Sequence, residues 1–108
     1  MDIDAQIELA FELHQRGRLD EAGSVCREVL ARQPDDFDVL HLLGLIEMQR
    51  GLPAAAVELL ARAVAIDPSV AFAQASLAVA LQKANRPEEA LASFDRLLAL
   101  QPELVERS

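Results

Sequence analysis

The side chains that could carry chemistry in this sequence are few, and their spacing does not assemble a catalytic or metal site. His14 and His41 are the only histidines, and Cys26 is the only cysteine. His14 falls late in one predicted helix and His41 early in another helix of the same direction. Their rings are therefore separated by several residues of rise, at ~1.5 Å each. Because a zinc site needs three or four ligands, we interpret both histidines as polar surface residues.

The cysteine and the paired carboxylates also have structural interpretations. Cys26 stands in an apolar column of the sequence, which indicates a small buried residue. Its neighbour Arg27 points in a different direction on a helix, so it does not activate the thiol. The acidic pairs at 20–21, 35–36 and 88–89 fall at predicted helix starts, where they favour the positive end of the helix dipole. We expect no catalytic residue, no cofactor and no metal, and hence no enzyme.

The charge balance excludes several partners. Ten basic residues stand against 18 acidic ones, for a formal net charge of −8. An acidic surface repels phosphate groups and anionic lipid headgroups, so we expect neither nucleic acid nor a membrane as partner. No apolar run approaches the ~20 residues that span a bilayer. The N-terminus has no basic stretch followed by an apolar segment, and the lone cysteine suits a reducing compartment. These features predict a cytoplasmic protein.

The prolines reveal an internal repeat. Pro34, Pro68 and Pro102 are spaced 34 residues apart, twice in succession. Five further columns follow the same period: Leu9, Leu43 and Leu77; Ala10, Gly44 and Ala78; Ala22, Ala56 and Ala90; Cys26, Leu60 and Phe94; Leu30, Val64 and Leu98. The small residues predict close crossings of paired helices, because a larger side chain there would cost ~1–3 kcal/mol.

The turn residues recur with the same period and predict where the helices begin and end. Gly17, Gly51 and Asn85 fall where a left-handed residue closes a helix. Pro53 and Pro87 suit the first turn of the following helix. Asp36 and Ser69 are predicted N-caps. The pattern predicts six helices, at 3–16, 19–32, 37–50, 53–66, 70–84 and 87–100.

These columns resemble the tetratricopeptide repeat, whose period is 34 residues. The resemblance covers residues 3–104 and predicts one domain over 1–108, with repeats at 3–36, 37–70 and 71–104 and a truncated tail at 105–108. It implies an all-α fold, a right-handed superhelical array of three antiparallel helix pairs. At the positions where the family often has Trp or Tyr, this sequence has other residues. They are Gln6, Leu40 and Gln74 at the Trp position and Leu13, Glu47 and Leu81 at the Tyr position.

The resemblance also implies a concave groove lined by the first helix of each pair, where ligands bind. Two polar binding codes of the family are absent. The positions of the carboxylate clamp of chaperone-binding members hold Ile7, Phe11, Leu42, Phe72 and Ser76, none of them basic or Asn. The positions of an asparagine ladder hold Glu8, Leu42, Ser76, Phe11, Leu45 and Val79. The groove positions that remain form an apolar strip, and such a strip marks an interaction surface. It consists of Ile7, Phe11, Leu45, Met48, Phe72 and Val79.

We therefore predict a protein–protein interaction module that binds an apolar or amphipathic peptide in the groove. The predicted groove residues are Ile7, Phe11, His14, His41, Leu45, Met48, Phe72, Ser76, Val79 and Lys83. The alternative cover for this strip is a second copy of the chain or the remainder of a longer protein. The predicted helix over 37–50, the second of the three that line the groove, is apolar almost all round. This pattern indicates burial on most sides.

The last predicted helix is not covered by a polar cap. Helical arrays need a polar outer face on their terminal repeats, yet this helix carries Leu91, Phe94, Leu97, Leu98 and Leu100. The tail from residue 103 looks like the first turn of a seventh helix that is then cut off. Either the chain is the N-terminal repeat region of a larger bacterial enzyme, of the glycosyltransferase or sulfotransferase kind, or it forms a homodimer through the groove or this uncapped helix.

Overall fold

The computed structural model describes residues 1–100, which form six α-helices and no strand. The helices are α1 (Ile3–Gln15), α2 (Leu19–Arg32), α3 (Phe37–Gln49), α4 (Pro53–Ile66), α5 (Ala71–Lys83) and α6 (Pro87–Leu100). All six predicted helices are confirmed, each within one residue of its expected bounds. The predictions for Pro102 and for a seventh helix from 103 lie outside the described residues.

The six helices form three pairs that stack along one direction. Within each pair α1 packs on α2, α3 on α4 and α5 on α6, and the pairs are joined by α2 against α3 and α4 against α5. The body is elongated, at 47 × 25 × 24 Å. The chain is therefore an all-α solenoid in which α1, α3 and α5 lie side by side.

The left-handed residues close the first helix of every pair, as predicted. Gly17, Gly51 and Asn85 have φ angles of 75°, 79° and 62°. Beyond each of them the backbone N–H reaches back over the helix end, for example from Arg18 to the carbonyl of Leu13 at 2.9 Å. These bonds satisfy carbonyls that the helix leaves unpaired. Each pair can then turn within three residues and pack antiparallel.

Three of the four predicted helix starts are confirmed and one is wrong. Pro53 and Pro87 begin α4 and α6, and Asp36 accepts the backbone N–H of Val39 at 3.1 Å. Ser69 does not cap α5. Its hydroxyl and backbone N–H both donate to the Asp67 carboxylate, at 2.6 and 3.1 Å, and these bonds hold the pKa of Asp67 below its ordinary value. Because Ser69 is hydrogen-bonded to the carboxylate two residues earlier, its hydroxyl does not cap α5.

The small residues at the helix crossings are buried, as the periodic columns predict. Ala10, Ala22, Ala56 and Ala78 are fully buried, and Gly44 is buried in α3. A Cβ added to Gly44 would lie 2.7 Å from both Cγ and Cδ2 of Leu60, the large residue that fills this crossing. The first pair has an alanine at the position of Gly44 but a smaller cysteine at that of Leu60. In the second pair, glycine at position 44 leaves the room that the side chain of Leu60 occupies.

We predict that Gly44→Ala destabilises the fold relative to the matched variant Gly23→Ala. Both changes add one methyl group to a buried helical glycine, so both gain about 1 kcal/mol of helix propensity. A Cβ at Gly23 meets its nearest neighbours at 3.4 Å or more, whereas one at Gly44 collides with Leu60. Urea unfolding should show Gly44→Ala to be less stable than Gly23→Ala by about 1–3 kcal/mol. Equal unfolding free energies would contradict the crossing argument.

Candidate binding groove

Two polar pairs join neighbouring first helices across the concave side of the array. His14 Nε2 donates to Gln49 Oε1 at 2.6 Å, and His41 Nε2 lies 3.1 Å from Ser76 Oγ. Each pair joins residues 35 positions apart, so the same contact recurs from α1 to α3 and from α3 to α5. These hydrogen bonds link α1 to α3 and α3 to α5 on the side of the array that carries the groove.

The hydroxyl of Ser76 defines the role of His41. Ser76 Oγ donates its single proton to the carbonyl of Phe72 at 3.0 Å. It must therefore accept from His41, which carries its proton on Nε2. The ring of His41 also stacks on Phe37, with centroids 6.2 Å apart, and meets Phe72 edge-on at 5.2 Å. His41 is thus a packing and hydrogen-bonding residue at the N-terminal end of the groove.

The centre of the groove is an open hollow of about 390 Å³ between α1, α3 and α5. Its walls are formed by His14, Leu45, Met48, Gln49, Ala75, Ser76 and Val79. Five of the ten predicted groove residues are therefore brought together in one depression. The prediction missed Ala75, which is too small to draw attention in a sequence but opens space between Leu45 and Val79.

The other predicted residues are placed around this hollow or apart from it. Phe72 is 66% exposed and Phe11 39% exposed, so both present aromatic surface to solvent, and Ile7 is half-buried. Lys83 lies elsewhere. It lines a separate hollow of about 560 Å³ between the end of α5 and the turn that leads into α4. The described groove therefore has apolar walls, with polar atoms at its rim supplied by His14 and Gln49.

Burial shifts the pKa values of two side chains, His41 and Cys26, in opposite directions. Burial lowers the pKa of His41 from its ordinary value, and the carboxylate of Asp38 partly opposes this shift. Burial raises the pKa of the Cys26 thiol to about 11, an effect that Arg27 only partly offsets. Cys26 is fully buried in the core, as predicted. A thiol with this pKa is a packing residue and not a nucleophile at neutral pH.

Residues 1–100 contain neither a cluster of metal ligands nor a membrane-spanning helix. No three His, Cys, Asp or Glu side chains of residues 1–100 come together in a way that could hold a metal ion. None of the six described helices is both long enough and apolar enough to cross a bilayer.

The fold defines an all-α helical-repeat protein in which α1, α3 and α5 line one side of the array. The sequence profile of the family described as Tetratricopeptide repeat matches residues 13–70 and, overlapping them, residues 47–106. The chain belongs to the tetratricopeptide repeat family. Members of this family are in general protein–protein interaction modules, and the resemblance seen in the sequence is confirmed.

Solved structures of other proteins share the fold over nearly all of this chain. A mutant O-GlcNAc transferase of Thermobaculum terrenum is 34% identical with a TM-score of 0.83, over 93% of this chain and 19% of its own. MamA AMB-1 is 30% identical with a TM-score of 0.88, over 94% and 56%. MamA MSR-1 is 28% identical with a TM-score of 0.86, over 94% and 59%. This chain therefore spans less than two thirds of each. No curated protein matches it.

We predict that the fold loses stability as His41 becomes protonated. Its pKa is lowered in the folded state, so the unfolded chain binds the proton more tightly, and stability falls as pH drops below the unfolded value of about 6.5. An NMR titration of the His41 ring should have its midpoint below 6.5. His41→Gln should weaken the decline in unfolding free energy between pH 7 and 5. A midpoint above 6.5 would contradict the burial argument.

Proposed function

We propose that this chain binds an apolar or amphipathic segment of a partner protein in the groove formed by α1, α3 and α5. The observation that carries this proposal is the open hollow of about 390 Å³ walled by Leu45, Met48 and Val79. Exposed Phe72 and Phe11 extend the apolar surface beyond it. An exposed contiguous apolar surface of this kind is typical of interaction sites.

The chemistry of the groove defines the segment that fits it. One large apolar side chain of the partner would fill the hollow, and its burial would contribute ~1.5–3 kcal/mol. Gln49 and His14 offer hydrogen bonds at the rim, although they already bond each other. With a net charge of −8 the chain attracts basic partners during encounter. The segment that fits best is therefore amphipathic, with apolar residues toward the groove and basic residues toward solvent.

The groove residues are proposed to bind and not to catalyse. His41 and Ser76 are the closest approach to a nucleophile and its base. Ser76 gives its proton to the carbonyl of Phe72, and His41 donates rather than accepts. A general base would need the opposite direction of hydrogen bonding. The division of the chain into repeats at 3–36, 37–70 and 71–104 and its cytoplasmic location stay predictions.

We predict that glutamate in the groove weakens binding without unfolding the protein. The substitutions are Leu45→Glu in the hollow and Phe72→Glu at its edge, and Ile66→Glu is the control. Ile66 is 43% exposed and lies outside the groove. Amphipathic peptides selected from a displayed library on the wild-type chain would be titrated by fluorescence anisotropy. Each groove variant should weaken binding by roughly 10- to 100-fold, since one large apolar contact is lost.

Circular dichroism and melting of each variant provide the folding control. Phe72→Glu should melt close to wild type because the side chain is largely exposed. Binding that survives both groove substitutions, or that is lost equally in Ile66→Glu, would rule out the groove as the site. A wild-type chain that selects no peptide and instead pairs with itself through Phe72 would identify a second copy as the occupant of the groove.

A second proposal is that this chain is the repeat region of a larger bacterial enzyme, serving in self-association or substrate recruitment. The observation that favours it is the match to the O-GlcNAc transferase, which covers 93% of this chain but 19% of the transferase. In such a protein the repeats would present a substrate segment to a catalytic domain that follows them. The genomic sequence beyond codon 108 tests this: an open reading frame for a transferase domain supports it, and a stop codon eliminates it.

A further inference from the structure

Three ring side chains cluster at the N-terminal end of the groove, beside the hollow. They are Phe37 and His41 on α3 and Phe72 on α5. The ring of His41 stacks on Phe37 and meets the ring of Phe72 edge-on at a centroid distance of 5.2 Å. Phe72 is mostly exposed, so the cluster presents aromatic surface to solvent. The face of such a ring carries partial negative charge and attracts cations.

His41 adds a hydrogen-bond acceptor to this cluster. Its Nε2 atom donates to Ser76 Oγ at 3.1 Å, so the lone pair of the neutral ring is on Nδ1. No residue of 1–100 donates a hydrogen bond to this Nδ1 atom. Burial lowers the pKa of His41, so the ring is uncharged at neutral pH and does not repel a cation.

A carboxylate lies beside the rings. Asp38 precedes His41 by three residues, which places both on one face of α3, and its charge acts on the His41 ring. Asp38 is exposed and forms no ion pair with any residue of 1–100. Phe37, Asp38, His41 and Phe72 are together called the aromatic–acidic end of the groove. It combines an exposed ring, a ring nitrogen that can accept and an unpaired carboxylate.

We propose that the aromatic–acidic end binds an arginine side chain of the partner segment. A guanidinium group is planar and has several N–H donors along its edge. It can lie against the exposed Phe72 ring while its edge donates to the Asp38 carboxylate and to Nδ1 of His41. A lysine ammonium is a point charge without this planar edge, so it fits less well. The inference rests on the proposed function, because the arginine belongs to the segment whose apolar residue fills the hollow.

The separation between this end and the hollow suits one short segment. His41 precedes Leu45 by about one helical turn, or ~6 Å along α3. An extended segment covers this distance in about two residues and a helix in about four. An arginine and a large apolar residue at either spacing reach both places at once. The arginine then stands where the apolar face of the segment meets its basic face.

Charge argues against the two occupants that the chain itself could supply. Residues 101–108 contain Glu103 and Glu106 beside Arg107, so this segment is acidic overall and Asp38 repels it. A second copy of the chain carries a net charge of −8 and is repelled as a whole. A basic segment of a different protein is attracted by the same charges.

The first test uses an amino-acid derivative and the complete chain, so it depends on no partner protein. Acetyl-arginine methylamide is titrated while NMR follows the ring resonances of Phe72 and His41. The matched control is acetyl-citrulline methylamide, which has nearly the same shape without the charge. The arginine derivative should shift both rings in a saturable way, and the citrulline derivative should not.

Variants locate this binding. Phe72→Leu keeps an apolar side chain but removes the ring, and Asp38→Asn removes the charge. Each should abolish most of the shift of the His41 ring. Asp95→Asn is the matched control, since Asp95 is an exposed aspartate on α6, and it should leave the shift unchanged. Circular dichroism verifies that each variant folds.

The second test uses an arginine-containing peptide selected on the wild-type chain. Replacing its arginine with citrulline should weaken binding by roughly 5- to 30-fold, the combined effect of a cation–π contact and an exposed ion pair. The same replacement should have a smaller effect on binding to Phe72→Leu. An unchanged ratio in this variant would contradict the ring contact.

The outcomes separate this proposal from the proposed function. Groove peptides that lack arginine, or that bind equally well with citrulline, would overturn the arginine site and leave the groove intact. A chain that binds the arginine derivative but selects no peptide would support the site and contradict the proposed function. Shifts that survive Phe72→Leu would show nonspecific attraction and overturn the site. Tighter binding of either probe by Arg107→Ala would identify the chain's own tail as the occupant and overturn the proposal.

Discussion

The close crossing of the two helices within each pair is the constraint on which the other features depend. At the middle pair Gly44 leaves room for the whole side chain of Leu60, which would otherwise be 2.7 Å from a Cβ. Because the helices approach this closely, the left-handed residues at 17, 51 and 85 must reverse the chain within three residues. Stacking then follows, since each pair leaves one apolar face that only the next pair can cover. The groove is a consequence of this stacking.

Most of the apolar residues of α3 are buried in the core, and few of them line the groove. Val39, Leu42, Leu43 and Ile46 pack against the first helix pair. Leu45 and Met48 are left half-buried on the concave side. A helix that is apolar all round therefore does not by itself predict a large binding surface. The hollow exists because Ala75 and Ser76 on α5 are small, and because hydrogen bonds through His14 and His41 hold the helices in place.

Much of this fold could be predicted from the sequence because the repeat supplies each signal three times. A lone Gly51 is weak evidence for a helix end, but Gly17, Gly51 and Asn85 at one period are strong evidence. Features that occur once were not predictable. The Asp67 carboxylate accepts the hydrogen bond of the Ser69 hydroxyl, so Ser69 does not cap α5. Gln74 is buried where α3 has a leucine, and its Oε1 has no hydrogen-bond partner among the described residues. Lys83 has the periodicity of a groove residue, yet it lines another hollow.

The two ends of the array differ in a way that only a comparison of equivalent positions reveals. Glu8 and Glu12 replace the apolar residues with which α3 covers its predecessor, so the first pair presents a polar outer face. The last pair retains an apolar outer face, and Leu91 enlarges it relative to Gly23 and Val57. The two ends of the described array therefore differ in polarity, with carboxylates at the covering positions of α1 and exposed leucines on α6.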